Sequence, residues 1–284
     1  MLIVDAMTAE TIRAPIFPRW SDPRWLVFFS LSAFTALLIQ NYTFGKSLYQ
    51  LLLAFATVLI ADFVINQLIY KKPYFFPLSA LTSSTGVGLI VFSNYYWPFV
   101  VLPLIAILSK RFIKYKGLHI FNPNNCGIVL GLLLMGTVIS TTSGRWIELP
   151  FLRPIVIIIG IVVSYRVKRL TLSLSWLISF VGIALLFAYW NETSLAQALL
   201  PVMDPLFHVF TFYHITDPIT SPTNRSGSLL FGFSLGVIDN VLRSFSTLNS
   251  MFFSLFLLTA LQPLLGNIFK RDYGREHWQS SKPV

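Results

Sequence analysis

Two short stretches hold most of the side chains in this sequence that could do chemistry. The first is His119-Ile120-Phe121-Asn122-Pro123-Asn124-Asn125-Cys126-Gly127. Pro123 disfavours helical geometry at Asn122, so Asn122 is placed to cap a helix starting at Pro123, with Asn124 and Asn125 in its first turn. A helix start carries free N–H groups, and amide side chains beside them suit a carbonyl-rich or anionic ligand. The second stretch, Thr216-Asp217-Pro218-Ile219-Thr220-Ser221-Pro222-Thr223, repeats the device with Asp217 as the cap. The plainer reading makes both of them well-capped helix starts. Their doubling, each ahead of a glycine-rich apolar run, makes them a candidate site.

Three aspartates lie inside apolar runs, where a charge costs several kcal/mol unless paired or hydrated. Asp62 shares roughly one helical face with Asn66 and Gln67, and serves either structural hydrogen bonding or a cation or proton path. Asp204 precedes Pro205 and is expected to cap the second half of a broken helix. Asp239 is expected to pair with Arg243 at i+4. His208 and His214 are six residues apart and face different ways, and no metal-binding histidine spacing occurs. The single cysteine, Cys126, reads as a small buried residue. No phosphate-binding loop, dinucleotide fingerprint or nucleophile elbow is present, so no catalytic residue and no metal site is assigned.

The elements that must position these residues are membrane helices. The 284 residues are 55% hydrophobic and only 11% charged, against about 25% charged in a soluble domain, which excludes both a water-facing globule and a disordered chain. A crossing needs roughly 20 apolar residues. Ten candidates fall near 25–40, 49–70, 77–93, 97–110, 124–140, 153–167, 171–190, 195–213, 227–244 and 249–269. The first follows Arg13, Arg19 and Arg24 without a small-residue cleavage pattern, and so reads as a retained helix. Segments 77–93 and 195–213 carry polar residues and suit buried, broken or re-entrant helices.

The basic residues orient this layout. With the N-terminus inside, 17 of the 21 Lys and Arg fall on the cytoplasmic side, leaving Lys46, Arg145, Arg153 and Arg243 outside. That is the positive-inside bias of an even number of spans. It puts both termini, 1–24 and 271–284, in the cytoplasm and the protein in the inner membrane. The net charge of +10 is therefore topology rather than a nucleic-acid footprint. Ten spans divide into halves at 25–140 and 153–270, and an odd number per half would make the two repeats inverted.

Phe121-Asn122-Pro123, Thr216-Asp217-Pro218 with Thr220-Ser221-Pro222, Leu230-Phe231-Gly232 with Gly236, and then Arg243 together resemble the motifs of the NqrB/RnfD family. Its members are membrane components of the sodium-translocating NADH:quinone oxidoreductase and of the Rnf electron-transport complex. The resemblance is strongest over about 70–135 and 205–270. It implies a ten-helix membrane fold and flavin-based electron transfer coupled to ion movement, in company with other subunits. Standard members attach FMN to a Thr of an S-G-A-T-like motif on the outer side. No such motif occurs here, and the nearest outer threonine, Thr193, lacks the small residues before it.

The reading is thus an all-α polytopic membrane subunit of a flavin-dependent electron-transport system. A flavin (FMN or riboflavin), expected to be non-covalent, would sit between the two Pro-caps on Asn122, Asn124, Asn125, Asp217, Thr220, Ser221 and Thr223, with Asp62 on an ion path. Its expected partners are the lipid bilayer and other membrane or redox subunits, with no nucleic acid. Two other readings stay open. One is a channel or transporter for a small polar solute such as a flavin precursor. The other is a scaffold whose basic loops at 110–116 and 166–169 dock an acidic partner or anionic lipid.

Overall fold

The computed structural model describes residues 17–40, 45–69, 76–265 and 268–270; most of the two terminal segments assigned above to the cytoplasm lies outside them. Within these residues the chain is mostly helical: α1 (Pro23–Gln40), α2 (Leu48–Phe63) continued by a π-helical turn (Val64–Ile69), α3 (Leu78–Ile90), α4 (Pro98–Phe112), α5 (Pro123–Met135), α6 (Leu152–Arg166), α7 (Leu170–Trp190), α8 (Leu195–Met203), α9 (Pro205–Val209) with a π-turn (Phe210–His214), α10 (Arg225–Ser244) and α11 (Ser250–Leu261). Two antiparallel pairings interrupt the expected all-helical chain: β1 (Val91–Phe92) with β4 (Ser140–Thr141), and β2 (Lys114–Tyr115) with β3 (Leu118–His119). The first arises where helices stop short. α3 ends at Ile90 and α5 at Met135 rather than near 93 and 140, and the strand that follows each gives its backbone groups to the other. Lys46 supplies a second stop for α3, donating to the carbonyls of Gly88 and Val91 near its C-terminal end, where the helix dipole favours a cation.

α1, the helix Leu48–Gln67 and α7 are each long and apolar enough to cross a membrane, and α8 with α9 and its π-turn makes a fourth such span bent by 63°. The bend falls where Asp204 ends one helix and caps the next, with Pro205 at the first position of α9 and Pro201 inside α8. Large apolar side chains face outward along these helices, Ile60, Ile178 and Leu186 among them at 61–72% exposure. A water-soluble surface does not carry such patches. Tyr189 and Trp190, both exposed at the end of α7, suit the polar edge of a bilayer.

The packing order is similar before and after residue 150. α1 lies on α3, α2 on α3 and α4, and α4 on α5; likewise α6 lies on α9, α7 on α8 and α10, and α10 on α11. α5 meets α11 and α1 meets α6. The tightest seam joins α7 to α10. Ser175 and Ser179 donate to the carbonyls of Leu229 (2.6 Å) and Phe233 (2.9 Å), and Asn240 donates to Phe180 (3.2 Å). Small residues let the backbones approach, as membrane helices require: a methyl group at Gly232 would stand 2.8 Å from the Leu172 oxygen and the Trp176 nitrogen. Gly232→Leu is therefore expected to destabilise the protein by about 1–3 kcal/mol or more, read as a lowered unfolding midpoint in detergent. Gly182→Ala on α7, with open space around it, is expected to be neutral or slightly stabilising.

Candidate functional site

The two Pro-caps come together, but they bind each other. Asn122 caps α5 as expected: its Oδ1 accepts the Asn125 N–H (3.1 Å) and its Nδ2 donates to the His214 carbonyl (2.9 Å) at the end of the π-turn. Asn125 in turn donates to the Phe252 carbonyl of α11 (2.9 Å). Asn124 lies against Gly86 of α3, whose missing side chain leaves room for it. Asp217 corrects the expectation that it caps the glycine-rich helix. That helix, α10, starts at Arg225 behind Asn224, and Asp217 instead organises a turn ahead of it. It accepts from the Ile219 N–H (3.2 Å) and the Thr220 hydroxyl (2.9 Å) and faces His119 Nε2 at 3.4 Å. Burial alone would raise the Asp217 carboxyl; His119, with the Ile219 N–H and the Thr220 hydroxyl, outweighs it and holds the group down at about 2. Ser221 donates to the Asp217 carbonyl (2.7 Å) and accepts from Arg169 (2.7 Å), which also donates to Pro218 (3.0 Å). Thr223 stands apart, exposed and bonded to the Lys270 carbonyl.

Asp62 joins this cluster electrostatically. It accepts from Arg111 (2.5 Å) and from Asn66 (2.8 Å). Lys110 donates to Ser79 of α3 (2.8 Å) and lies within the fields of both Asp62 and Asp217. His119, Arg111, Lys110 and Arg169 were missing from the candidate set. The three basic residues show in the sequence only as the loops read as a docking surface, whereas His119 heads the first polar stretch. Arg169 is 7% exposed and cannot dock anything.

The fit of a flavin among these residues is poor. The amide of Asn122, the carboxylate of Asp217 and the hydroxyls of Thr220 and Ser221 are engaged with one another and with backbone. Asn124 and Asn125 keep unpartnered carboxamide oxygens, which offer no donor to flavin carbonyls or phosphate.

Open volume lies elsewhere. A cavity of about 230 Å³ is lined by Ser143, Gly144, Gln197, Leu200, Pro201, Asp204, Phe207, Arg243 and Met251, on the side assigned above as outer. Asp204 caps α9 through the Leu206 N–H (2.9 Å) and takes the Gly144 N–H (2.6 Å) and the Ser143 hydroxyl (3.3 Å) on its other oxygen. Arg243 pairs with Asp239 at 2.8 Å, as the i+4 spacing predicts. Thr193 sits exposed in the turn between α7 and α8.

Residues 133–274, half of the chain, match the NQR2, RnfD, RnfE family. The chain belongs to this family. The family segment carries Asp217, α10 and every residue lining the cavity, whereas Asn122 and the start of α5 lie ahead of it. A curated relative, the D component of the ion-translocating oxidoreductase complex of Stutzerimonas stutzeri, is 33% identical over 93 residues, covering 28% of this chain and 26% of that protein. The match therefore spans about a quarter of the relative's length.

Two outcomes follow from the cap cluster. Asn122→Ala removes the α5 cap and strands the His214 carbonyl, and is expected to lower stability by about 1–3 kcal/mol in detergent unfolding. Asp217, whose folded-state value lies below its ordinary 3.8, contributes stability above about pH 4 that is lost as pH falls towards 2. Tryptophan fluorescence during acid titration is expected to show that limb flattened in Asp217→Asn.

Proposed function

We propose that this chain is a membrane subunit of an ion-translocating oxidoreductase complex. The observation that carries the reading is the family match over half of the chain, joined to a helical fold that pairs the buried carboxylates Asp62 and Asp239 with arginines near helix ends. The relative's name concerns such a complex. Ten crossings in two inverted five-span halves, with both termini in the cytoplasm of the inner membrane, complete the reading. The similar packing order of the two halves supports it, with the corresponding helices α5 and α11, and α1 and α6, meeting across the boundary. The distribution of basic residues supports the orientation.

A non-covalent flavin belongs to this proposal, and it would supply one- and two-electron redox chemistry. The outer cavity suits it better than the Pro-caps. Arg243 and Gln197 offer donors, Asp204 offers an acceptor, and Leu200, Pro201, Phe207 and Met251 offer apolar walls. In that site Asp204 is fixed by its cap bonds and Arg243 by Asp239, so both are oriented before any ring arrives.

The test is the visible absorption of detergent-purified protein before and after acid denaturation and filtration. Flavin that passes the filter is the expected result. Leu200→Trp, which fills the cavity, is expected to remove the colour, whereas Asn122→Ala is expected to retain it. A colourless wild-type protein purified together with its partner subunits would overturn the flavin part. Failure to co-purify with any redox subunit would overturn the complex.

A further inference from the structure

Lys116 and Lys168 are exposed, and both stand at positive φ, +48° and +58°, the left-handed region in which glycine is the unstrained residue. Lys116 shares the two-residue tip of the β2–β3 hairpin with Gly117 (φ +84°), a tip that favours Asn and Gly. Lys168 follows α6 at the position where a helix commonly ends in glycine: its N–H donates to the Tyr165 carbonyl (3.0 Å) and the next N–H, that of Arg169, to Ser164 (2.8 Å). A lysine at each place is favoured by its side chain and not by its backbone. Both tips are firmly held. His119, at the base of the hairpin, faces Asp217 at 3.4 Å, and Arg169 donates to Ser221 and Pro218, so both tips are fastened to one turn.

An apolar stripe leads up to each lysine along the preceding helix. On α4, Leu104, Leu108 and Phe112 are 36%, 38% and 59% exposed. On α6, Ile158, Val162 and Tyr165 are 64%, 45% and 71% exposed. Spacings of three and four residues put each set along one side of its helix. Arg166, also exposed, adds a second cation at the end of the α6 stripe. The neighbouring carboxylates turn inward, Asp62 to Arg111 and Asp217 to His119. Each tip thus joins a cation to an apolar strip, the complement of a phosphate headgroup joined to an acyl chain. An acidic protein would match the lysines and leave the stripes uncovered. We propose that Lys116 and Lys168 hold the phosphate headgroups of anionic phospholipids whose acyl chains lie along α4 and α6. The inference goes beyond the redox reading and needs only that the chain sits in a bilayer.

The test follows thermal unfolding of the full chain in detergent by tryptophan fluorescence, with phosphatidylglycerol or phosphatidylcholine of the same acyl chains added. A ligand that binds the folded state raises the midpoint, so phosphatidylglycerol is expected to raise it by several degrees over phosphatidylcholine. In the double variant Lys116→Gly with Lys168→Gly, the midpoint in phosphatidylcholine is expected to match or exceed that of wild type, because glycine suits both backbones, while the rise with phosphatidylglycerol disappears. The charge-retaining pair Lys116→Arg with Lys168→Arg is expected to keep the rise. Equal wild-type midpoints in the two lipids overturn the proposal, as does a rise that survives the glycine variant or is lost in the arginine one. The same rise with inorganic phosphate assigns the lysines to a free anion, and the same rise with polyglutamate assigns them to an acidic protein; either result overturns it. No electron donor enters the measurement, so a failure of the redox reading leaves it intact.

Discussion

A helix that begins away from water must find acceptors for its first N–H groups, and α5 and α9 find them in a buried side-chain cap. α5 starts at Asn122 and α9 at Asp204, each followed by proline at the first helical position. In both, one side-chain oxygen closes the helix start, and the remaining polar atom reaches to a distant segment. Asn122 ties α5 to the His214 carbonyl, and Asp204 ties α9 to the loop at Ser143 and Gly144. The same two residues thus terminate local structure and stitch the chain before residue 150 to the chain after it. Much of the polar architecture follows from this double duty, including the closeness of α5 to α11 and the position of the outer cavity beside Asp204.

The caps and the i+4 ion pair were legible in the sequence because they obey short-range rules. Asn-Pro and Asp-Pro each announce a helix start, and Asp239 with Arg243 sits on one face of one helix. Asp217 shows where such rules fail. Its motif looks like that at Asn122, yet a second proline at Pro222 and the turn at Ile219–Ser221 delay the helix until Arg225. The carboxylate then serves a loop. Its partner His119 is 98 positions away in the chain, and Arg169, which holds the same loop, is 52 from Ser221. Partners at such separations leave no periodic trace. The early stops of α3 and α5 were hidden for a related reason. Apolar residues continue to about 93 and 140, but β1 and β4 satisfy each other's backbone groups and make further helix unnecessary.

Charge was read as topology, and only incompletely as structure. Taken together the basic residues orient the expected layout, while individually several are internal fastenings. Arg169 holds the turn after Asp217, Lys110 bonds Ser79 of α3, and Arg111 neutralises Asp62. A loop rich in Lys and Arg is thus not by itself a docking surface, since burying a carboxylate obliges the fold to bring a cation to it.

The two buried Asp–Arg pairs show how this obligation bears on function. Arg111 is the penultimate residue of α4 and Arg243 the penultimate residue of α10, helices that hold corresponding places in the packing order. One pair is closed on both carboxylate oxygens, by Arg111 and Asn66. The other is held on one oxygen by Arg243, with Ser250 beside the carboxylate, and borders open volume through Arg243. The asymmetry places one pair beside the cavity and leaves the other among the bonds that hold the cap cluster together.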